Sequence, residues 1–151
     1  MDRDATGPRV VVGVDGSPSS HEALRWAVRY GGLVGATVEA VATWELPGGR
    51  AWSAPAIDTT FDEESALQGL VQELREVLGD EGAKAVRALL VHGNPVDVLL
   101  KAAEGAEALV VGSHGRGGFA RALLGSVSQH IAQHGACPVV IVRPGKSGAG
   151  H

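Results

Sequence analysis

The sequence predicts an α/β fold: a three-layer open sheet of five parallel strands with helices on both faces, Rossmann-like in plan. Short, continuous apolar runs rich in β-branched residues alternate along the chain with segments whose apolar residues recur at helical spacing. Arg9 to Val14 is mostly β-branched and continuous, which fits a strand buried on both faces. Glycine, proline, serine or asparagine marks most of the changes from one kind of segment to the other. Strict alternation of this sort implies parallel strands joined by right-handed crossovers, with ligands beyond the carboxyl ends of strands at a switch point.

Arg9 to Val14 (RVVVGV) reads as the first strand, and Gly16-Ser17-Pro18 supplies a turn with helix-start chemistry. Leu24, Ala27 and Val28 fall on one helical face, and Gly31-Gly32 is expected to end that helix. Thr37 to Trp44 (TVEAVATW) is a second strand. Glu45 to Thr60 is rich in Gly, Pro and Ala and reads as an exposed loop, after which Asp62 to Leu78 carries Leu67, Leu70, Val71 and Leu74 at amphipathic spacing. Ala85 to Val91 is the third strand. Asn94 then suits an N-cap and Pro95 the first helical position, with Val98, Leu99 and Ala102 as the apolar face. Ala108 to Gly112, Ser126 to His134 and Pro138 to Val142 complete the pattern as strand, helix and strand.

A chain of 151 residues suits one domain with a proper core. The lone Cys137 excludes an intrachain disulfide and reads as a small buried residue at a strand start, which makes a reducing cytoplasm the expected setting. The start MDRDATGPR is polar and no apolar run approaches membrane length, so neither signal peptide nor membrane span is expected. Charge is divided unevenly: all 17 acidic residues lie at or before Glu107, while Arg116, Arg121, Arg143 and Lys146 follow it. With 13 basic residues in all, the part through Glu107 has net charge 9 minus 17, or −8, and the rest +4. That split suggests a local anion site and not a nucleic-acid surface, which needs a broad basic face.

The anion site falls where the sequence reads GSHGRGGFARALLGSVS, from Gly112 to Ser128. Gly112, Gly115 and Gly125-Ser126 stand between an apolar strand and a helix, the plan of a phosphate-binding loop. Glycines admit an anion close to backbone amides, and Ser126 and Ser128 offer hydroxyl donors at the positive end of the next helix. Two better-known nucleotide motifs fail on context. Gly115 to Ala120 matches G-x-G-x-x-A, but it does not sit at the first strand-to-helix turn and no acid follows to hold a ribose. Gly145-Lys146-Ser147 lacks the glycine five positions earlier, where Val140 stands. His130 and His134 are four apart without the glutamate of H-E-x-x-H and, like His21 and His92, read as ordinary satisfied or exposed residues. Trp26, Trp44 and Trp52 read as packing or loop residues, with no basic groove around them for stacking nucleic acid.

Taken together, Gly112, Gly115, Gly125 and Ser126 in the pattern G-x2-G-x9-G-[ST], the opening VVGVDGS and the closing ACPVVIVRP resemble the universal stress protein family in its single-domain, ATP-binding form. The resemblance covers residues 9–144 as the domain, leaving 1–8 and 145–151 as flexible ends. It implies the strand order 3-2-1-4-5, an adenine nucleotide as ligand, Mg²⁺ carried with it, and a homodimer through Pro138 to Val142. Carried over by position, it places Gly13 and Asp15 near the adenosine and the backbone of Val41 at the adenine edge. Gly112, Ser113 and His114 would run along the ribose and first phosphate. Gly115, Arg116, Gly125, Ser126, Val127 and Ser128 would follow the remaining phosphates, with Gly117 and Gly118 completing the span. Asp15 suits either ribose hydroxyls or the cap of the helix that follows. His114 is open between a ligand contact and a solvated loop position.

The expected function is that of a cytoplasmic, dimeric ATP-binding regulator of the stress response, with an unknown signalling partner and neither membrane nor nucleic acid as target. Phosphoryl transfer would need acids for Mg²⁺ near the terminal phosphates, and the loop region contains none. Any ATP hydrolysis is therefore expected to be slow. A slow hydrolase, or a module that prefers AMP or cyclic AMP, stands as the alternative. A nucleotide-free scaffold is disfavoured because the loop glycines are intact.

Overall fold

Five strands and four helices alternate through the described residues, 7–44, 63–114 and 125–144 of a computed structural model. They are β1 (Arg9–Gly13), α1 (Pro18–Val34), β2 (Thr37–Trp44), α2 (Glu63–Lys84), β3 (Val86–His92), α3 (Pro95–Ala102), β4 (Ala108–Gly112), α4 (Ser126–His134) and β5 (Val139–Val142). The strands form one sheet in the order β3-β2-β1-β4-β5, and every neighbouring pair is parallel. The fold class and strand order are those expected.

Each face of the sheet carries its own core. Val10 and Val12 of β1 pack with Ala23, Leu24 and Ala27 of α1 and with Leu70 and Leu74 of α2. Val11, Val41, Leu109 and Val111 point the other way, against Leu99 of α3 and Ile131 of α4. Coverage on both sides is what the continuous apolar strands require. Among the described residues one charged side chain of the strands is buried. Glu39 on β2 is only 4% exposed and lies between the guanidinium groups of Arg9, at 3.2 Å, and Arg87, at 3.3 Å. Arg9 also donates to the carbonyls of Ala102, at 3.0 Å, and Glu104, at 2.7 Å, which fastens the end of α3 to the sheet. Pairing on this scale is what permits a carboxylate in the interior.

Several boundaries differ from expectation, each for a tertiary reason. Helix α1 does not stop at Gly31-Gly32. Gly31 is buried, and a Cβ there would come within 2.7 Å of Val38 Cγ2, so this glycine answers to packing. The helix ends at Gly35, whose φ of 71° is the left-handed cap that glycine adopts freely. In α2 the expected end at Leu78 coincides with a break, since Gly79 has φ 82° and ψ 166°, but helix resumes and runs to Lys84. Strand β1 closes at Gly13, β3 is shifted by one residue to Val86–His92, and β5 begins after Pro138. Cys137 is half-buried and precedes β5, so it is not the buried strand-start residue expected. Among the described residues no helix is long and apolar enough to cross a membrane.

Candidate functional site

From β1 the chain winds outward to β2 and β3, then returns to the other side of β1 for β4 and β5. The carboxyl ends of β1 and β4 therefore part to opposite faces, and a crevice opens between them. Gly13, Val14, Asp15, Ser17, Ser20, Val41, Thr43, Pro95, Leu99, Val111, Gly112, His114, Val127 and Ser128 line it.

The β1 side is shaped by a serine-rich turn. Gly16 takes φ 84°, and Ser17 caps α1 by accepting from the Ser20 N–H at 3.1 Å, with Pro18 at the first helical position. Asp15 Oδ1 accepts from the Ser17 N–H at 2.9 Å. The helix cap is thus Ser17, and Asp15 fastens the turn before it while its exposed carboxylate borders the crevice. Ser20 Oγ accepts from the Asp15 N–H at 3.3 Å and donates to the Ser17 carbonyl at 3.1 Å.

On the β4 side the three residues entering the loop are each held by a different partner. The Gly112 carbonyl accepts from Ser128 Oγ at 2.6 Å, and the Ser113 carbonyl accepts from the Gly125 N–H at 2.7 Å. The His114 carbonyl accepts from Ser19 Oγ at 2.7 Å and more weakly from Ser17 Oγ at 3.3 Å. Ser113 is fully buried and its N–H donates to the Val142 carbonyl of β5 at 2.8 Å. Gly112 has no room for a side chain. A Cβ would meet Ser19 Oγ and would lie 2.6 Å from the Ser19 carbonyl carbon and 2.7 Å from the Ser20 nitrogen.

Helix α4 begins at Ser126 behind Gly125, and no side chain caps it. Its first N–H groups lack intrahelical partners, so this end carries positive potential. Val127 and Ser128 of that first turn line the crevice, while Ser126 is exposed beside it. Two expected donors are otherwise engaged. The Ser128 hydroxyl has a single proton, directed at Gly112, and the Gly125 amide is directed at Ser113, so both act here as braces.

Of the residues expected at the site, Gly13, Asp15, Val41, Gly112, His114, Val127 and Ser128 line one crevice; Ser113 lies beneath it, and Gly125 and Ser126 stand at its edge. The Val41 carbonyl accepts from the Val14 N–H at 2.9 Å and its buried side chain forms part of the wall. Gly115, Arg116, Gly117 and Gly118 lie outside the described residues, as does Trp52. Sequence reasoning missed Val14, Ser17, Ser20, Thr43, Pro95, Leu99 and Val111. Thr43 shares a strand face with Val41 two residues earlier, and Pro95 and Leu99 are one helical turn apart, so both periodicities held the signal. Among the described residues the other rings make local contacts, and His21 Nε2 lies 2.7 Å from Glu73 Oε2. Trp26 stacks on Tyr30 at 5.0 Å, Trp44 meets His92 at 4.3 Å, and His130 lies 6.3 Å from His134. Among the described residues no group of three or more His, Cys, Asp or Glu could hold a metal.

Comparison with known proteins bears on this geometry. The family model described as the universal stress protein family matches residues 8–143. A universal stress protein of Mycolicibacterium smegmatis is 36% identical over 137 residues, which cover 89% of this chain and 45% of that protein. One from Mycobacterium tuberculosis is 34% identical over 141 residues, covering 88% and 47%. The chain thus spans about half the length of these curated relatives. Among solved structures, the universal stress protein UspA from Lactobacillus plantarum superposes with a TM-score of 0.73 at 21% identity, covering 93% of this chain and all (100%) of that one. A universal stress protein in complex with cAMP gives a TM-score of 0.66 at 26% identity and the same coverage, 93% and 100%. An Archaeoglobus fulgidus universal stress protein in complex with dAMP gives 0.57 at 24% identity, covering 91% and 98%.

Proposed function

Because the chain belongs to the universal stress protein family, we propose that it binds an adenine nucleotide in the crevice between β1 and β4 and acts as a regulator and not as a turnover enzyme. The observation that carries this is the convergence, at one switch point, of an apolar slot and a positive helix end. Val41, Pro95, Leu99 and Val111 form a slot suited to a purine. Asp15 borders it with an exposed carboxylate, an acceptor for ribose hydroxyls. The uncapped start of α4, with the exposed Ser126 hydroxyl, suits phosphate oxygens.

The ligand proposed is ATP, with Mg²⁺ borne on its phosphates. Asp15 is the one carboxylate among the described residues of the crevice, and it follows β1. That arrangement supports binding over phosphoryl transfer, which uses acids to hold the metal at the terminal phosphates. Cyclic AMP or AMP is the second reading, favoured by the relative solved with cAMP. A twofold dimer through β5, an edge strand, completes the proposal; nucleotide occupancy would alter its conformation or its choice of partner.

Titration calorimetry with ATP and Mg²⁺, AMP, cAMP and adenosine tests the reading. Micromolar-range ATP binding with little turnover is expected. Tighter binding of cAMP than of ATP would move the assignment to the second reading, and no binding of any of the four would refute both. Turnover of about 1 per second or faster would refute the regulatory role.

A further inference from the structure

Ser19 lies in the first turn of α1 and is 2% exposed, yet it is not among the residues that line the crevice. Its hydroxyl makes a reciprocal pair with one backbone unit 95 residues away. Oγ donates to the His114 carbonyl at 2.7 Å and accepts from the His114 N–H at 3.2 Å. This pair engages both backbone polar groups of His114 at the point where the chain leaves β4, and it uses the hydroxyl's one proton and a lone pair to do so.

The pair has a steric counterpart one residue before. Gly112 can approach Ser19 and Ser20 only because it lacks a Cβ. The stem is then fixed from the other side by α4, through Ser128 Oγ to Gly112 and the Gly125 N–H to Ser113. Ser19 is thus the α1 half of a clasp whose other half is the start of the helix proposed to face the phosphates. The His114 carbonyl also accepts more weakly from Ser17 Oγ, at 3.3 Å.

Resting on the nucleotide reading above, we propose that Ser19 is a positioning residue for phosphate recognition: acting through the His114 backbone, it sets the spacing between α1 and the start of α4 and so selects for phosphorylated over unphosphorylated adenosine. The apolar slot is lined from β2, α3 and β4, and Ser19 is not among its residues. Phosphate affinity should therefore respond to Ser19, and purine affinity should not.

The test compares ATP with adenosine on the parent, Ser19→Ala and Ser19→Cys, the last retaining bulk and a weak S–H donor, together with amide exchange at His114 and Gly125. Ser19→Ala is expected to bind ATP about three- to tenfold more weakly, with adenosine changed less than about twofold and exchange faster at both amides. Ser19→Cys is expected to fall between Ser19→Ala and the parent. A merely structural role would lower both affinities together through the folded fraction, and that result would overturn the proposal. Unchanged ATP binding in a folded Ser19→Ala chain would overturn it as well, as would unchanged exchange at His114. Should Ser19→Ala not fold, parent-like ATP binding by Ser19→Cys with unchanged exchange would overturn it. If the parent binds neither ligand, the nucleotide reading itself fails and this role falls with it; if the parent binds both and the ratio does not move, the role alone fails.

Discussion

Replacing Gly112 with alanine adds one methyl group at the most crowded point of the site. The new Cβ would lie 2.6 Å from the Ser19 carbonyl carbon and 2.7 Å from the Ser20 nitrogen, both backbone atoms that cannot swing aside. Either the end of β4 or the first turn of α1 must retreat. Overpacking of this kind costs about 1 to 3 kcal/mol. Retreat also stretches the Ser19–His114 pair, and losing one such hydrogen bond costs about 1 kcal/mol more. The sum is about 2 to 4 kcal/mol, which at about 2 to 4 °C per kcal/mol for a chain of this length lowers the melting temperature by about 4 to 16 °C. Gly32→Ala is the control, because that helical glycine has nothing within 4 Å of the added atom. It should stabilise the protein by about 0.5 to 1 kcal/mol through helix propensity. Thermal unfolding followed by circular dichroism measures both. A Gly112→Ala chain that melts within about 1 °C of the parent would refute the steric account, and so would equal losses in the two variants.

Ser126→Ala removes an exposed hydroxyl at the start of α4 and should weaken ATP by about 10- to 150-fold, the value of a hydrogen bond to a charged group, while leaving adenosine nearly unaffected in calorimetry; equal losses for both ligands would displace the phosphates from this helix end. Ile141→Lys places a charge on the edge strand β5 and should convert a dimer to a folded monomer by light scattering; a dimer that persists uses another surface. Burial pushes the Cys137 thiol above its ordinary 9.0, with Arg9 and a backbone bond from Leu109 opposing more weakly, so alkylation in the folded chain should reach half its maximal rate above that pH. The folded state then binds more protons than the unfolded one as pH rises past 9.0, so this group's share of stability falls there. Cys137→Ala should flatten that decline in denaturant titrations, and an unchanged slope would contradict it.

Much of the architecture was legible in the chain because its signals are local. A run such as VVVG in β1 or ALVVG in β4 is continuous and free of polar side chains, and Asn94-Pro95 caps α3 within a single turn, its side chain accepting from Val96 and Asp97 as the sequence alone implies. The crevice was legible in outline, since glycines and serines that follow strand ends must meet at a switch point once strands and helices alternate. The order of the strands came from the family resemblance, because periodicity says nothing of which strand lies beside which. Only the tertiary structure showed that Gly31 and Gly112 are glycine because Val38 and Ser19 leave no room for more, or that Glu39 is buried between Arg9 and Arg87. Only it turned the Ser128 hydroxyl toward Gly112 and closed Ser19 on His114, whose partners lie 16 and 95 residues away. Capping, periodicity and turn chemistry act over a few positions and can be read from neighbours, whereas a steric limit or a shared proton depends on which distant backbone the fold brings within about 3 Å.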